Sequence, residues 1–204
     1  LVTKQNIDDR KCYKNLENIE DIEKYDYFVI ASETNKHYEQ LNYLEKSVKG
    51  KFIFCEKPLF ETNRELVLKN NKVFIGYVLR FHPLLVKLKE FLKEEKIISV
   101  NAKCGQYLPY WRPNTDYRES YSAKKEEGGG VLLDLSHEID YLHWLCGEVK
   151  TMTSVSTKIS DLEIKSDDIF IATGFTTKNV LFNVTLDCLS RVPFRRMIIH
   201  TKNE

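Results

Sequence analysis

The first third of the chain reads as short, continuous apolar runs separated by helical periodicity. Tyr27-Phe28-Val29-Ile30-Ala31 is apolar throughout instead of alternating, as expected of a strand buried on both faces of a parallel sheet. Ser32-Glu33-Thr34-Asn35 supplies turn and N-cap chemistry. Beyond it Tyr38, Leu41, Leu44 and Val48 recur on one helical face, and Gly50 ends the segment. Phe52–Cys55 reads as the next strand, 62–70 as a short helix, and Val73-Phe74-Ile75-Gly76 as a third buried strand. Strand, helix, strand, helix, strand is the βαβ pattern of a doubly wound parallel sheet. Residues 1–26 are polar, with a weak helical pattern at Leu16, Ile19 and Ile22, and Leu1-Val2-Thr3 reads as the end of an earlier strand.

After Arg80 the pattern changes. Pro83 opens a helix whose Leu84, Leu85, Leu88, Phe91 and Leu92 form one apolar stripe. Ile98, Val100, Ala102 and Cys104 then alternate with Ser99, Asn101 and Lys103, the period of a sheet with one wet face. A long aromatic loop at 105–130 ends in Gly128-Gly129-Gly130, and 131–146 reads as one helix closed by Gly147. Three or four strands follow without helices between them, and Val180, Phe182, Val184, Leu186 and Cys188 alternate with polar neighbours. Consecutive strands of this kind predict a large, mostly antiparallel sheet. The expectation is therefore α/β: a doubly wound part at 1–78 and an α+β domain at 79–204.

Composition narrows the function classes. Lys+Arg 31 against Asp+Glu 30 gives a net charge of +1, which offers no electrostatic case for nucleic acid. No apolar run approaches the roughly 20 residues that span a bilayer, so no membrane partner is expected. The five cysteines (Cys12, Cys55, Cys104, Cys146, Cys188) are scattered, with no C-x-x-C pair, which argues for a reducing, cytoplasmic setting and against a disulfide framework or metal site. The chain opens on Leu1 instead of Met and closes at Glu204 directly after a predicted strand, which suggests a fragment.

Four stretches could carry chemistry. In Phe52-Ile53-Phe54-Cys55-Glu56-Lys57-Pro58 an apolar strand stops at an acid, an amine and a rigid proline. Ligands of open parallel sheets sit at the carboxyl ends of strands; the alternative for Glu56 and Lys57 is a solvated surface pair. On the predicted helix at 131–146, Val131, Leu135, Ile139, Leu142 and Cys146 share the packing face, while Asp134, His137 and Tyr141 cluster on another. Asp134 at i and His137 at i+3 are neighbours there, so the carboxylate either orients a general acid/base or makes a structural pair. The preceding glycines allow close approach to a ligand. The loop carrying Tyr107, Trp111, Arg112, Tyr117 and Arg118 combines rings that stack on sugars or bases with forks suited to phosphate or carboxylate. It either contacts substrate or folds back on its own hydrophobic cluster or a second subunit. His37 follows the first strand and is either a wall of the crevice reached by Lys57 or a plain first-turn residue. His82 reads as structural, and His143 and His200 carry no signal. No Gly-x-Gly-x-x-Gly occurs, so the pyrophosphate fingerprint of a dinucleotide fold is not in these 204 residues.

The ordered series Val29-Ile30-Ala31-Ser32-Glu33-Thr34-Asn35-Lys36-His37, then Glu56-Lys57-Pro58, then Gly128-Gly129-Gly130 with Asp134-Leu135-Ser136-His137-Glu138-Ile139-Asp140 resembles the Gfo/Idh/MocA oxidoreductases over nearly the whole chain. The resemblance implies a Rossmann domain binding NAD or NADP, here N-terminally incomplete, and a C-terminal α+β domain that binds substrate and assembles a homo-oligomer through its sheet. It places Ser32, Asn35, His37, Glu56, Lys57 and Pro58 on the cofactor side, with Lys57 also contacting the substrate hydroxyl. His137 becomes the catalytic acid/base and Asp134 its support. Tyr107, Trp111, Arg112, Tyr117 and Arg118 become substrate contacts, as in members acting on sugars or nucleotide-activated sugars of surface glycans. Three departures stand out. Two residues instead of three separate Asp134 from His137, Ser32-Glu33 replaces the usual Thr-Pro, and the glycine-rich turn is expected upstream of Leu1.

The function implied is NAD(P)-dependent interconversion of a secondary alcohol and a ketone on a sugar-like substrate. The rival is a catalytically silent binding or scaffold protein on the same fold. A Schiff-base lysine enzyme is a weaker third reading, because nothing apolar surrounds Lys57 in sequence strongly enough to lower its pKa.

Overall fold

The computed structural model describes residues 11–203. Leu1–Arg10, including the strand end expected at Leu1–Thr3, and Glu204 lie outside the described residues. The chain divides into two compact units, Leu1–Gly76 and Tyr77–Glu204.

In the first unit three parallel strands, β1 (Tyr27–Ile30), β2 (Phe52–Cys55) and β3 (Lys72–Ile75), lie in that order. Ile30, Cys55 and Ile75 are in register at the carboxyl edge. Helix α1 (His37–Ser47) covers one face, burying Leu41 and Leu44 with Val48 against Ile30, Ile53 and Cys55. The opposite face carries Tyr27, Val29, Phe52 and Phe74, all exposed, with Tyr27 stacked on Phe52 at 5.4 Å. The segment at 12–24 forms only short 3-10 turns, at Leu16–Asn18 and Ile22–Lys24.

The helix expected at 62–70 does not form. Glu45 of α1, 5% exposed, accepts the backbone N–H groups of Lys69 (2.6 Å) and Asn70 (2.5 Å) and the Asn71 side-chain amide (3.0 Å). Those donors outweigh burial, which alone would raise the carboxyl, and hold Glu45 below the usual carboxylate range. They also anchor the segment to α1 just before β3. A buried carboxylate thus takes the backbone groups that a helix would have used internally.

In the second unit, helix α2 (Pro83–Phe91) begins with Pro83 in its first turn, and His82 Nδ1 caps it by accepting the Leu84 N–H at 3.3 Å. The apolar stripe is narrower than its sequence suggests. Leu85 and Leu88 pack on the core and Leu92 is buried, but Leu84 and Phe91 are exposed. Strand β4 (Ile97–Gly105) leads into a loop of 3-10 turns, then helices α3 (Val131–Asp134) and α4 (His137–Cys146), then β5 (Val149–Thr157), β6 (Ile169–Thr176), β7 (Leu181–Asp187) and β8 (Phe194–Thr201). The sheet order is β5-β6-β7-β4-β8. It is mostly antiparallel, with one parallel pair, β4 beside β7. The expected inward row of β7 is as read: Phe182, Val184 and Leu186 are buried, with Val180 and Cys188 at its ends. In β4 the row starts later than expected. A register shift between Ile97 and Ser99 leaves Ile98 exposed, and the buried positions run from Val100 through Ala102 to Cys104. Among the described residues no helix is long and apolar enough to cross a membrane.

Candidate functional site

The carboxyl edge of the first sheet is built by backbone bonds that continue past the strands. Glu56 N–H donates to Ile30 O at 2.8 Å and Gly76 N–H to Cys55 O at 2.8 Å. The Lys57 N–H donates to the Glu56 carboxylate at 3.2 Å, and the Lys57–Pro58 peptide is cis. Glu56 and Lys57 are half-buried at this edge, and Pro58 is buried. Ser32 donates its hydroxyl to Gln40 Oε1 at 2.7 Å, and Asn35 lies in the 3-10 turn Thr34–Lys36 that leads into α1. Glu33, the acid standing where the family usually has proline, forms a 2.5 Å ion pair with Lys36, so its charge is matched locally.

His37 requires a correction. It is 1% exposed, with Nδ1 3.0 Å from Pro58 O and Nε2 3.1 Å from Ser32 O. Its ring does not offer a face to a ligand. It ties the Ser32 turn to the loop after Lys57, so its effect on the edge runs through those backbones.

In the second unit the single helix expected at 131–146 is broken. Leu135 (φ −102°, ψ 24°) ends α3, and α4 starts afresh at His137. Asp134 is therefore the last residue of one helix and His137 the first of the next, so continuous-helix spacing does not describe their relation. Asp134 is 7% exposed, beside the Tyr121 hydroxyl; burial and then the Asp134 charge push that phenol up to about 12. His137 is half-buried, its ring meeting Tyr77 edge-to-face at 5.7 Å and 83°. Tyr141, expected beside these groups, is buried in the core instead.

The glycines before α3 serve packing. At Gly129 a Cβ would strike the carbonyl oxygens of Tyr121 and Ser122, and at Gly130 (φ +122°) it would strike the Asp167 carboxylate. Asp167 caps the helix, accepting Val131 N–H on its carbonyl at 3.1 Å and Leu132 N–H on its side chain at 3.0 Å.

The aromatic loop folds back on the core. Tyr107, Trp111 and Tyr117 pack against the main cluster. Trp111 Nε1–H donates to Gln106 O at 2.9 Å, Tyr107 lies under Arg191 at 3.4 Å, and the Tyr117 hydroxyl accepts Glu163 N–H at 3.2 Å. Arg118 spends its fork on Asp116 at 2.7–3.0 Å, a partnership that raises the arginine further. Arg112 stacks on Tyr121 at 5.3 Å and lines, with Leu108, Trp111, Thr115, Tyr117, Ser120 and Ser122, a shallow indentation with room for little more than a water molecule.

Three features were missed in sequence. Tyr77 and Tyr121 flank the broken helix but belong to no periodic pattern. Glu138 is wholly buried and pairs with Arg195, and Arg80 forks onto Asp140 at 2.8 and 2.5 Å. Glu138 did leave a signal: it stands three and four residues before the buried Tyr141 and Leu142, a charge within an apolar helical stripe.

A family model described as the GFO/IDH/MocA C-terminal domain matches residues 85–203. The chain belongs to the GFO/IDH/MocA family. Inositol 2-dehydrogenase of Salmonella typhimurium is 28% identical over 191 residues, covering 88% of this chain and 53% of that protein. The solved complex of levoglucosan dehydrogenase with NADH and levoglucosan matches with a TM-score of 0.78 at 23% identity, over 94% of this chain and 56% of the other. WlbA dehydrogenase from Bordetella pertussis, in complex with NADH and UDP-GlcNAcA, matches with a TM-score of 0.76 at 17% identity, over 94% and 57%. At those identities the two structures establish the GFO/IDH/MocA fold and nothing finer. The chain spans about half the length of such relatives.

Proposed function

We propose that this chain is the larger part of an NAD(P)-dependent oxidoreductase that interconverts a secondary alcohol and a ketone on a sugar or nucleotide-sugar-like substrate, in surface-glycan biosynthesis. The observation that carries the reading is Glu56-Lys57-Pro58 at the carboxyl edge of a parallel sheet, in a chain that belongs to this family. Relatives named as inositol and levoglucosan dehydrogenases, and structures named with NADH and a sugar, support it.

The residues at that edge suit one wall of a nicotinamide site. Ser32, Asn35, Glu56, Lys57 and Pro58 line it, and the Glu33–Lys36 pair removes the repulsion an unmatched acid would exert on a phosphate. No glycine-rich turn lies within the 204 residues, so these residues supply a wall and not the phosphate cradle. A nicotinamide bound there would supply the hydride chemistry. Lys57 donates a hydrogen bond to the reacting oxygen. His137 takes the hydroxyl proton on oxidation and returns it on reduction, with Asp134 supporting it. Arg112 and the loop rings beside it would contact the substrate. The five free thiols fit a cytoplasmic setting.

The second sheet supports a homo-oligomer. Its uncovered face pairs Val155 with Ile171 and Phe175 with Leu181, all exposed, in the way of a surface that packs on a partner sheet. Sedimentation of the purified chain should give a mass above 24.0 kDa; a monomer at micromolar concentration removes this part of the reading.

The activity is tested by titrating full-length protein with NADH and NADPH and following nicotinamide fluorescence. Saturable binding of one of them is expected. Binding of neither favours a silent scaffold on this fold.

A further inference from the structure

The geometry points to Tyr77 as a positioning residue for His137: its ring sets the plane of the imidazole at the start of α4. The inference rests on the reading of His137 as the proton-transfer group. His137 is the first residue of a new helix, just past the break at Leu135. Tyr77 meets the imidazole edge-to-face, at 5.7 Å and 83°, an arrangement aromatic pairs prefer and one that specifies ring orientation. The Tyr77 hydroxyl lies beside Ser136, which occupies the N-cap position of α4, and burial together with the Asp140 charge keeps that phenol above its ordinary value. Tyr77 is itself held in place. Three residues on, Arg80 grips Asp140 with two hydrogen bonds, at 2.8 and 2.5 Å, and the Asp140 side chain is only 8% exposed. The 3-10 turn Val78–Phe81 is thereby clamped to the first turn of α4, with Tyr77 at its leading end. A bidentate arginine–carboxylate pair fixes direction as well as distance. In this arrangement the ring, more than the hydroxyl, carries the effect on His137.

The test is side-chain NMR of the 204-residue chain, with the His137 ring signal assigned by its loss in His137→Gln. Tyr77→Leu should change the His137 χ1 couplings and the contacts its ring protons report to the first turn of α4, neither of which the lost ring current moves by itself, while those of His37, His82, His143 and His200 stay in place. Tyr77→Phe should restore the native signature, because it keeps the ring. If Tyr77→Leu fails to fold, Tyr77→Met and the clamp variant Arg80→Gln read the same signal. Native His137 couplings and ring-proton contacts in every folded variant without the ring overturn the proposal, as does failure of Tyr77→Phe to rescue. No readout here depends on turnover. A moved His137 signal alongside normal activity of a full-length His137→Ala variant would sink the catalytic reading and leave the positioning intact.

Discussion

Arg195→Met is expected to lower the stability of the folded chain by about 3 kcal/mol at neutral pH, the low end of the cost of breaking a buried ion pair. Glu138 of α4 is 0% exposed and accepts the Arg195 Nε–H of β8 at 2.5 Å. The Arg195 side chain is 46% exposed, so water already screens part of the attraction, and this sets the lower figure. What the substitution leaves behind dominates: an unmatched carboxylate in the core. Cys104 is its neighbour there, a thiol pushed up to about 11 by burial and by the Glu138 charge. The pH dependence has a definite sign. Burial raises Glu138 above its ordinary value, and Arg195 pulls it part of the way back. Without Arg195 it rises further. Between the unfolded value of about 4.3 and the raised folded one, the native state holds a proton that the unfolded chain releases, so stability falls as pH increases through that window. The deficit of Arg195→Met is therefore full at neutral pH and shrinks on acidification towards about pH 4. Urea midpoints at several pH values measure it. A deficit that does not change with pH would show that lost packing, not an abandoned charge, is responsible. Glu138→Gln in the same background should remove most of the pH dependence.

Periodicity made the sheets legible and left the site half-written. β1, β2 and β3 were readable as strands from their short apolar runs, although the face away from α1 is exposed and not buried as those runs suggested; β7 was readable because alternation records one wet face. The segment at 62–70 was not, because the partner that claims its neighbouring backbone, Glu45, lies on another element. The break between Asp134 and His137 was equally hidden. The apolar pattern runs through Val131, Leu135, Ile139 and Leu142 as though the helix were continuous, while Gly129, Gly130 and Asp167 fix where α3 begins. The loop residues were found as a group but not by role. The single indole donor of Trp111 and most of the Arg118 fork meet partners inside the loop, Gln106 and Asp116. Ring contacts such as Tyr77 on His137 join residues sixty apart and have no signature along the chain. The short motif Glu56-Lys57-Pro58 was legible because its meaning is local: a strand ends, and the next side chains stand at the edge where parallel sheets bind ligands.

His137→Ala in the full-length protein is expected to reduce turnover by about 10²–10⁴-fold, the usual value of a positioned proton acceptor. That loss corresponds to about 3–5 kcal/mol of barrier. The imidazole is half-buried and stands at a helix start outside the core cluster, so the variant should fold and bind nicotinamide cofactor like the parent. The deficit should sit in kcat, since the proton moves in the reaction and not on binding. Asp134→Asn should cost less, because Asp134 acts through His137. Lys57→Met should differ from both: on the proposed reading its ammonium holds the reacting oxygen in ground and transition states alike, so KM rises with kcat little changed. Steady-state rates with the cofactor that binds, on polyols and sugars carrying a free secondary hydroxyl, measure all three. Near-normal kcat for His137→Ala on a substrate the parent turns over would remove the imidazole from the chemistry and leave the proton to Lys57 or to water.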